Sequence, residues 1–194
     1  IIDNTTSRGR IVRFNVKDDF KKLVDKLGKT PLPPYIKREP DEKDSEYYQT
    51  IFAKHEGSVA APSAGINFTK ELLKKIEKKG AKVVPITLHI GLGTFRLVEV
   101  EDLSKHRMDS EYYEISKDSA EAINFSINKH KNVFAVGTSV ARALESSVIT
   151  GRLVRPNKGW TDRFIHPPHS MSIVTKLVTK FHLPQSTHLM LVAS

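Results

Sequence analysis

The chain has 194 residues, 39% of them hydrophobic, which is enough for one medium domain with a real core. Lys and Arg number 31 against 22 Asp and Glu, a formal charge of +9 that favours a polyanionic partner such as nucleic acid. The absence of cysteine excludes disulfides, thiolate metal sites and a cysteine nucleophile, and no apolar run approaches the ~18 residues of a membrane-spanning helix.

In chain order, Arg10 to Val16 alternates polar and apolar residues and predicts a strand. Asp18 to Leu27 places Phe20, Leu23, Val24 and Leu27 at helical spacing, with Gly28 as the stop. Thr30 to Pro40 carries four prolines and predicts an extended segment, with an apolar centre around Tyr35. A helix is expected over Asp44 to Lys54. Gly57 to Ala64 is a run of small residues suited to tight packing or to ligand approach. Thr69 is placed to cap a helix with Leu72, Leu73 and Ile76 turned inward, lysines outward and Gly80 at its end.

Val83 to Leu88 predicts a buried strand that runs into His89-Ile-Gly-Leu-Gly-Thr-Phe95. Gly91 and Gly93 permit positive φ and close approach, and Thr94 adds a hydroxyl, as expected where a ligand meets the carboxyl end of a strand. Ser116 then caps a helix with Ala120, Ile123 and Ile127 on one stripe. Val133 to Val136 predicts a second strand. It turns through Gly137-Thr138-Ser139 into a helix whose free amino-end N–H groups can hold a carboxylate or phosphate. Arg142 and Glu145 share a face of that helix, as a surface ion pair or as pocket residues. Ile173 to Val178 predicts another strand, and Ser186 caps a last helix. Strands alternating with helices predict an α/β fold with a mainly parallel sheet.

Of the eight histidines, His89 and His182 each follow an apolar strand-like segment and precede a Gly or Pro break. Each is a candidate general base near neutral pH, or a hydrogen-bonded structural histidine. No zinc-type spacing occurs, and no metal is expected. The only tryptophan, Trp160, precedes Thr161 and Asp162. It either stacks a base or packs at a turn.

Leu32-Pro-Pro-Tyr-Ile36, Tyr48-Gln-Thr50, Gly57-Ser-Val-Ala-Ala-Pro62, Phe68-Thr69, Leu88 to Phe95, Ser110-Glu-Tyr-Tyr113, Val136-Gly-Thr138, Leu144-Glu-Ser146, Gly159-Trp-Thr-Asp162 and Phe181-His-Leu-Pro184 come in this order. Together they resemble the S-adenosylmethionine:tRNA ribosyltransferase-isomerase family of queuosine biosynthesis, from about Arg8 to the last residue. The resemblance implies transfer of the ribosyl part of S-adenosylmethionine to aminomethyl-deazaguanine at a tRNA wobble position, giving epoxyqueuosine, adenine and methionine.

It further implies an α/β catalytic domain over residues 21–194, preceded over 1–20 by the tail of a β-barrel domain, in a chain expected to be incomplete at both ends. His89, His182 and Glu145 are the expected catalytic residues. Gly91, Gly93, Thr94, Gly137, Thr138 and Arg142 are expected at S-adenosylmethionine, and Tyr35, Asn67, Trp160 and Asp162 at the modified base or tRNA. A monomer acting in the cytoplasm without a membrane partner is expected. The family pattern usually has histidine at Asn67, asparagine at Lys180, Thr-Thr-Ser-Val-Arg where this chain reads Thr138-Ser-Val-Ala-Arg142, and Pro-Gly at Pro167-Pro168. The alternatives are a catalytically silent tRNA-binding relative and an S-adenosylmethionine-dependent methyltransferase.

Overall fold

The computed structural model describes residues 1–4, 10–17 and 19–194, so Arg8 and Asp18 lie outside the described residues. Near the amino end, β1 (Asp3–Asn4) pairs antiparallel with β2 (Arg10–Ile11), and the expected longer strand to Val16 is otherwise irregular and exposed. Helix α1 (Phe20–Leu27) starts at Asp19, whose side chain accepts the Lys21 N–H, and stops at Gly28. It has no buried residue.

The helix expected over Asp44 to Lys54 is only the single turn α2 (Asp44–Tyr47). Its first residue explains the shortness. Asp44 is buried and receives both Arg38 guanidinium nitrogens, at 2.6 and 2.7 Å, and the Asp41 N–H at 2.8 Å. Asp44 therefore anchors a polar knot in the proline-rich segment rather than opening a long amphipathic helix. The Arg38 bonds hold its carboxyl down at about 2. Helix α3 (Lys70–Lys78) is capped as expected, with Thr69 Oγ1 accepting the Leu72 N–H at 3.1 Å. Its expected inward face is only partly covered, and Leu72 is exposed.

The core forms farther on. Strand β3 (Thr87–His89) pairs antiparallel with β4 (Glu111–Ile115), which pairs antiparallel with β8 (Asn157–Thr161). Helix α4 (Lys117–Asn128) begins at Ser116, whose Oγ accepts the Ser119 N–H, and buries Ala120 and Ile123. Strand β5 (Phe134–Val136) pairs parallel with β9 (Lys176–Val178). Between them lie α5 (Thr138–Ser146) and the short hairpin of β6 (Val148–Ile149) and β7 (Leu153–Val154). Helix α6 (Thr187–Val192) closes the chain under its Ser186 cap. Tyr113, Ile115, Ala135, Ala141, Leu144, Val154, Ile173 and Leu191 share one buried cluster.

The α/β character is therefore present, but the mainly parallel sheet is not. Among the described residues β5–β9 is the one parallel pair, and the largest sheet is antiparallel. Strands β4 and β8 make the difference, because neither carries the apolar run that marks a buried parallel strand. β4 buries Glu111, and β8 contains Asn157, Lys158 and Gly159.

Candidate functional site

A cavity of about 310 Å³ opens beside the carboxyl ends of β5 and β9. Such crevices are where α/β sheets hold ligands, and the volume is that of a small-molecule site. Its walls come from five stretches: Pro34, Tyr35 and Tyr48; Ala60 to Ala64; Ile90 with Thr94, Phe95 and Leu97; Val136 to Val140; and Thr179, with Phe181 to Leu183, Ser186 and His188. The small residues of the second stretch let its backbone lie along the cavity, so ligand approach and tight packing coincide there.

The second glycine turn behaves as the sequence suggests. Gly137 has φ +106°, a conformation that side chains with a Cβ rarely adopt, and its N–H donates to the Val178 carbonyl at 2.9 Å. It delivers Thr138 and Ser139 to the cavity wall at the start of α5, where the first N–H groups have no helical partner.

The first glycine turn is built differently. Gly91 is extended at φ −93°, and its N–H donates to Glu111 Oε1 at 3.0 Å. A Cβ on Gly93 would overlap the Asp109 side chain, which itself accepts from Arg96 at 2.9 Å. These glycines approach protein rather than the cavity. Thr94 and Phe95, which follow them, reach it.

Two imidazoles form the polar wall. His182 and His188 stack with centroids 5.2 Å apart and planes 13° apart. His182 Nε2 lies 2.9 Å from Thr179 Oγ1, and His188 Nε2 lies 3.0 Å from Thr94 Oγ1. Burial pushes the His182 imidazole below its ordinary value. His188 is held down to about 4, first by burial and then by the positive charge of His182 and Arg142. The pair is thus neutral near pH 7 and able to accept a proton.

Of the expected residues, the cavity gathers Tyr35, Thr94, Gly137, Thr138 and His182. His89 does not line it. Its ring packs under Gly57 and stacks on Tyr112, with Nδ1 buried and without a hydrogen-bond partner. Arg142 is buried in an ion pair with Glu111 and faces a separate narrow cleft. Burial lowers its guanidinium to about 10, so it stays cationic at neutral pH.

Glu145 is fully buried and turned away from the cavity. Its carboxyl oxygens accept the Ser172, Ile173 and Val174 N–H groups at 2.8–3.2 Å, with His169 Nε2 at 3.7 Å. It pins the segment leading into β9. Asn67, Trp160 and Asp162 also stand outside the cavity wall.

Sequence reasoning passed over Tyr48, Thr179 and His188. His188 had a signal, since it lies two residues past the Ser186 cap and one helical turn from the proline break. Tyr48 is half-buried, and burial raises its hydroxyl.

The fold and the cavity define an α/β protein with a crevice at the carboxyl ends of a parallel strand pair. The chain belongs to the family of queuosine biosynthesis proteins, whose family model matches residues 1–194. It is 50% identical over 190 residues to the S-adenosylmethionine:tRNA ribosyltransferase-isomerase of Cytophaga hutchinsonii, covering 96% of this chain and 55% of that protein. It is 52% identical over 197 residues to the protein of the same name from Chloroherpeton thalassium, covering 100% of this chain and 57% of the relative. The chain thus spans a little over half the length of these relatives. A crystal structure of the S-adenosylmethionine tRNA ribosyltransferase of Thermotoga maritima matches with a TM-score of 0.50 and 34% identity, over 66% of this chain and 40% of that one.

Proposed function

We propose that this chain forms the cavity-bearing part of a tRNA-modifying transferase-isomerase. It would move the ribosyl moiety of S-adenosylmethionine onto aminomethyl-deazaguanine at the wobble position, giving epoxyqueuosine, adenine and methionine. The observation that carries the reading is the convergence of Thr94, the Gly137-Thr138 turn and His182 on one cavity from segments far apart in sequence. The relatives' names agree with it.

S-adenosylmethionine, when bound, supplies a sulfonium that acidifies the carbon beside it. In this reading His182, neutral and held by Thr179, accepts the proton. The amino-end N–H groups of α5 at Thr138 and Ser139 bind the carboxylate of the amino acid moiety. Ala60, Ala64, Ile90 and Val136 exclude water from the leaving groups. Tyr35, at the rim, faces the modified base. Residues 1–20 are read as the tail of a β-barrel domain and 21–194 as the catalytic domain, a division supported by the exposed β1–β2 ladder outside the core. A tRNA substrate implies a cytoplasmic protein. Among the described residues no helix is long and apolar enough to cross a membrane.

The test is incubation with S-adenosylmethionine and tRNA bearing aminomethyl-deazaguanine. Free adenine and an epoxyqueuosine mass are expected. Retained tRNA binding without adenine would identify the silent relative, with attention then on Lys180, exposed between the cavity residues Thr179 and Phe181. S-adenosylhomocysteine as product would identify a methyltransferase. His182→Gln should slow adenine release by about 10²–10⁴-fold if it is the base.

A further inference from the structure

One face of the three-stranded sheet carries an unbroken row of rings. His89, Tyr112 and Trp160 are direct partners across β3, β4 and β8, so their side chains stand on the same face. The His89 and Tyr112 centroids are 5.3 Å apart with planes 29° apart, and Tyr112 meets Trp160 edge-on at 5.8 Å and 71°. The other face of β4 sends Tyr113 and Ile115 into the core. The row begins one residue before the cavity-wall residue Ile90, although His89 itself does not line the cavity. It ends at Trp160, which is 70% exposed.

The inner end of the row is fixed. Gly57 lies so close over His89 that a Cβ there would sit 2.5 Å from its Nδ1. The Tyr112 hydroxyl donates to Glu114 at 3.3 Å. Packing accounts for His89 and Tyr112, but it leaves most of the indole surface in solvent. An indole braced by a neighbour on one side and open on the other offers a π-face at little ordering cost. Lys158, exposed on the same face of β8, stands opposite Glu114 of β4, so the row is flanked by one charge of each sign in a chain that carries +9.

We propose that this row is a stacking platform for an unpaired RNA base, the nucleotide next to the one held in the cavity. The inference rests on the tRNA reading above. A base drawn into the cavity leaves its neighbour unstacked, and an aromatic face meets that need without demanding a particular sequence. The row starts one residue from the cavity-wall residue Ile90 and ends exposed at Trp160, so a nucleotide adjoining the cavity could meet it.

Trp160 is the only tryptophan, so its emission reports the site directly. The protein is titrated with an RNA hairpin carrying an unpaired loop and, in parallel, with a fully paired RNA duplex of equal length. Saturable quenching by the hairpin alone is expected. Trp160→Ala should weaken hairpin binding, read by labelled RNA, by about 5- to 150-fold. Trp160→Phe should restore most of it, and duplex binding should not change. Constant emission, equal weakening toward both RNAs, or a Phe variant no better than Ala would overturn the platform. Adenine release measured alongside separates the two ideas. Release with constant Trp160 emission removes the platform and leaves the transferase reading standing, whereas no release and no RNA binding removes both.

Discussion

The two glycine turns look alike in sequence, and the molecule uses them in opposite ways. At Gly137 the glycine is needed for its own backbone angle, and the residues after it open onto the cavity. At Gly91 and Gly93 the backbone angle is not the issue. There the missing Cβ admits Asp109, and the free N–H is taken by Glu111. A glycine motif thus says that something comes close, but not whether that something is a ligand or the protein itself. The turns are also tied together. Glu111 accepts from Gly91 and pairs with Arg142 of α5, while His188 links Thr94 of the first turn to the wall shared with Thr138.

The largest effect should come from cutting the buried tie. Arg142→Met leaves Glu111 without its cation and should cost about 3–5 kcal/mol in denaturant unfolding. The double variant Arg142→Met/Glu111→Gln should recover part of this, and a double variant no more stable than the single would show that the pair is not what joins the turns.

Next comes acid. Unfolded, His188 titrates near 6.5, whereas folded it titrates at about 4. Between those values the unfolded chain holds a proton that the folded chain refuses. Stability should therefore fall as pH drops from about 6.5 to about 4 and level off below, by on the order of 3 kcal/mol. His188→Gln should remove most of that slope, leaving the falls from His182 and His106, which burial also lowers, and the loss from Asp44, which starts below about 4 and runs to about 2. An unchanged slope in the variant would assign it elsewhere.

Gly93→Ala should follow, at roughly 1–3 kcal/mol for overpacking against Asp109. Its loss should be eased by Asp109→Gly, which removes the obstructing side chain, whereas no easing would place the cost elsewhere. Gly137→Ala, whose new Cβ would meet only Ala64 Cβ at an unstrained 3.9 Å but would keep a φ that L residues rarely adopt, should cost about 1–2 kcal/mol. No change of Asp109 should ease it. If one suppressor served both turns, the contrast between them would be wrong.

The helix starts were legible because caps are local. Thr69, Ser116 and Ser186 sit where their side chains accept the expected N–H groups. So was the turn into α5, where glycine follows a short apolar strand. The strand partners were not. Glu111 to Ile115 carries strand formers in Tyr112, Tyr113 and Ile115, but its glutamates break the apolar run. Asn157 to Thr161 has Asn, Lys and Gly in its first three places, and the two pair because their neighbours bury one face.

The site divided in the same way. Thr94, Gly137, Thr138 and His182 could be marked from motif chemistry. The position of Glu145, by contrast, depends on three amides 27 to 29 residues away. Arg142 offered a guanidinium to an imagined carboxylate, and the structure supplies one from its own β4.

The ion pair between Arg142 and Glu111 also bears on how the cavity can breathe. Drawing the two turns apart would strand a charge in an apolar interior, so that motion is steeply resisted. Among the described residues the Thr179–Leu183 wall holds no such ion pair. Phe181, at the cavity rim, is fully exposed between Thr179 and His182. A change in the cavity's width therefore falls first to the Thr179–Leu183 stretch, which would carry His182 with it. If His182 is the base proposed above, filling the cavity and aligning that base become a single movement.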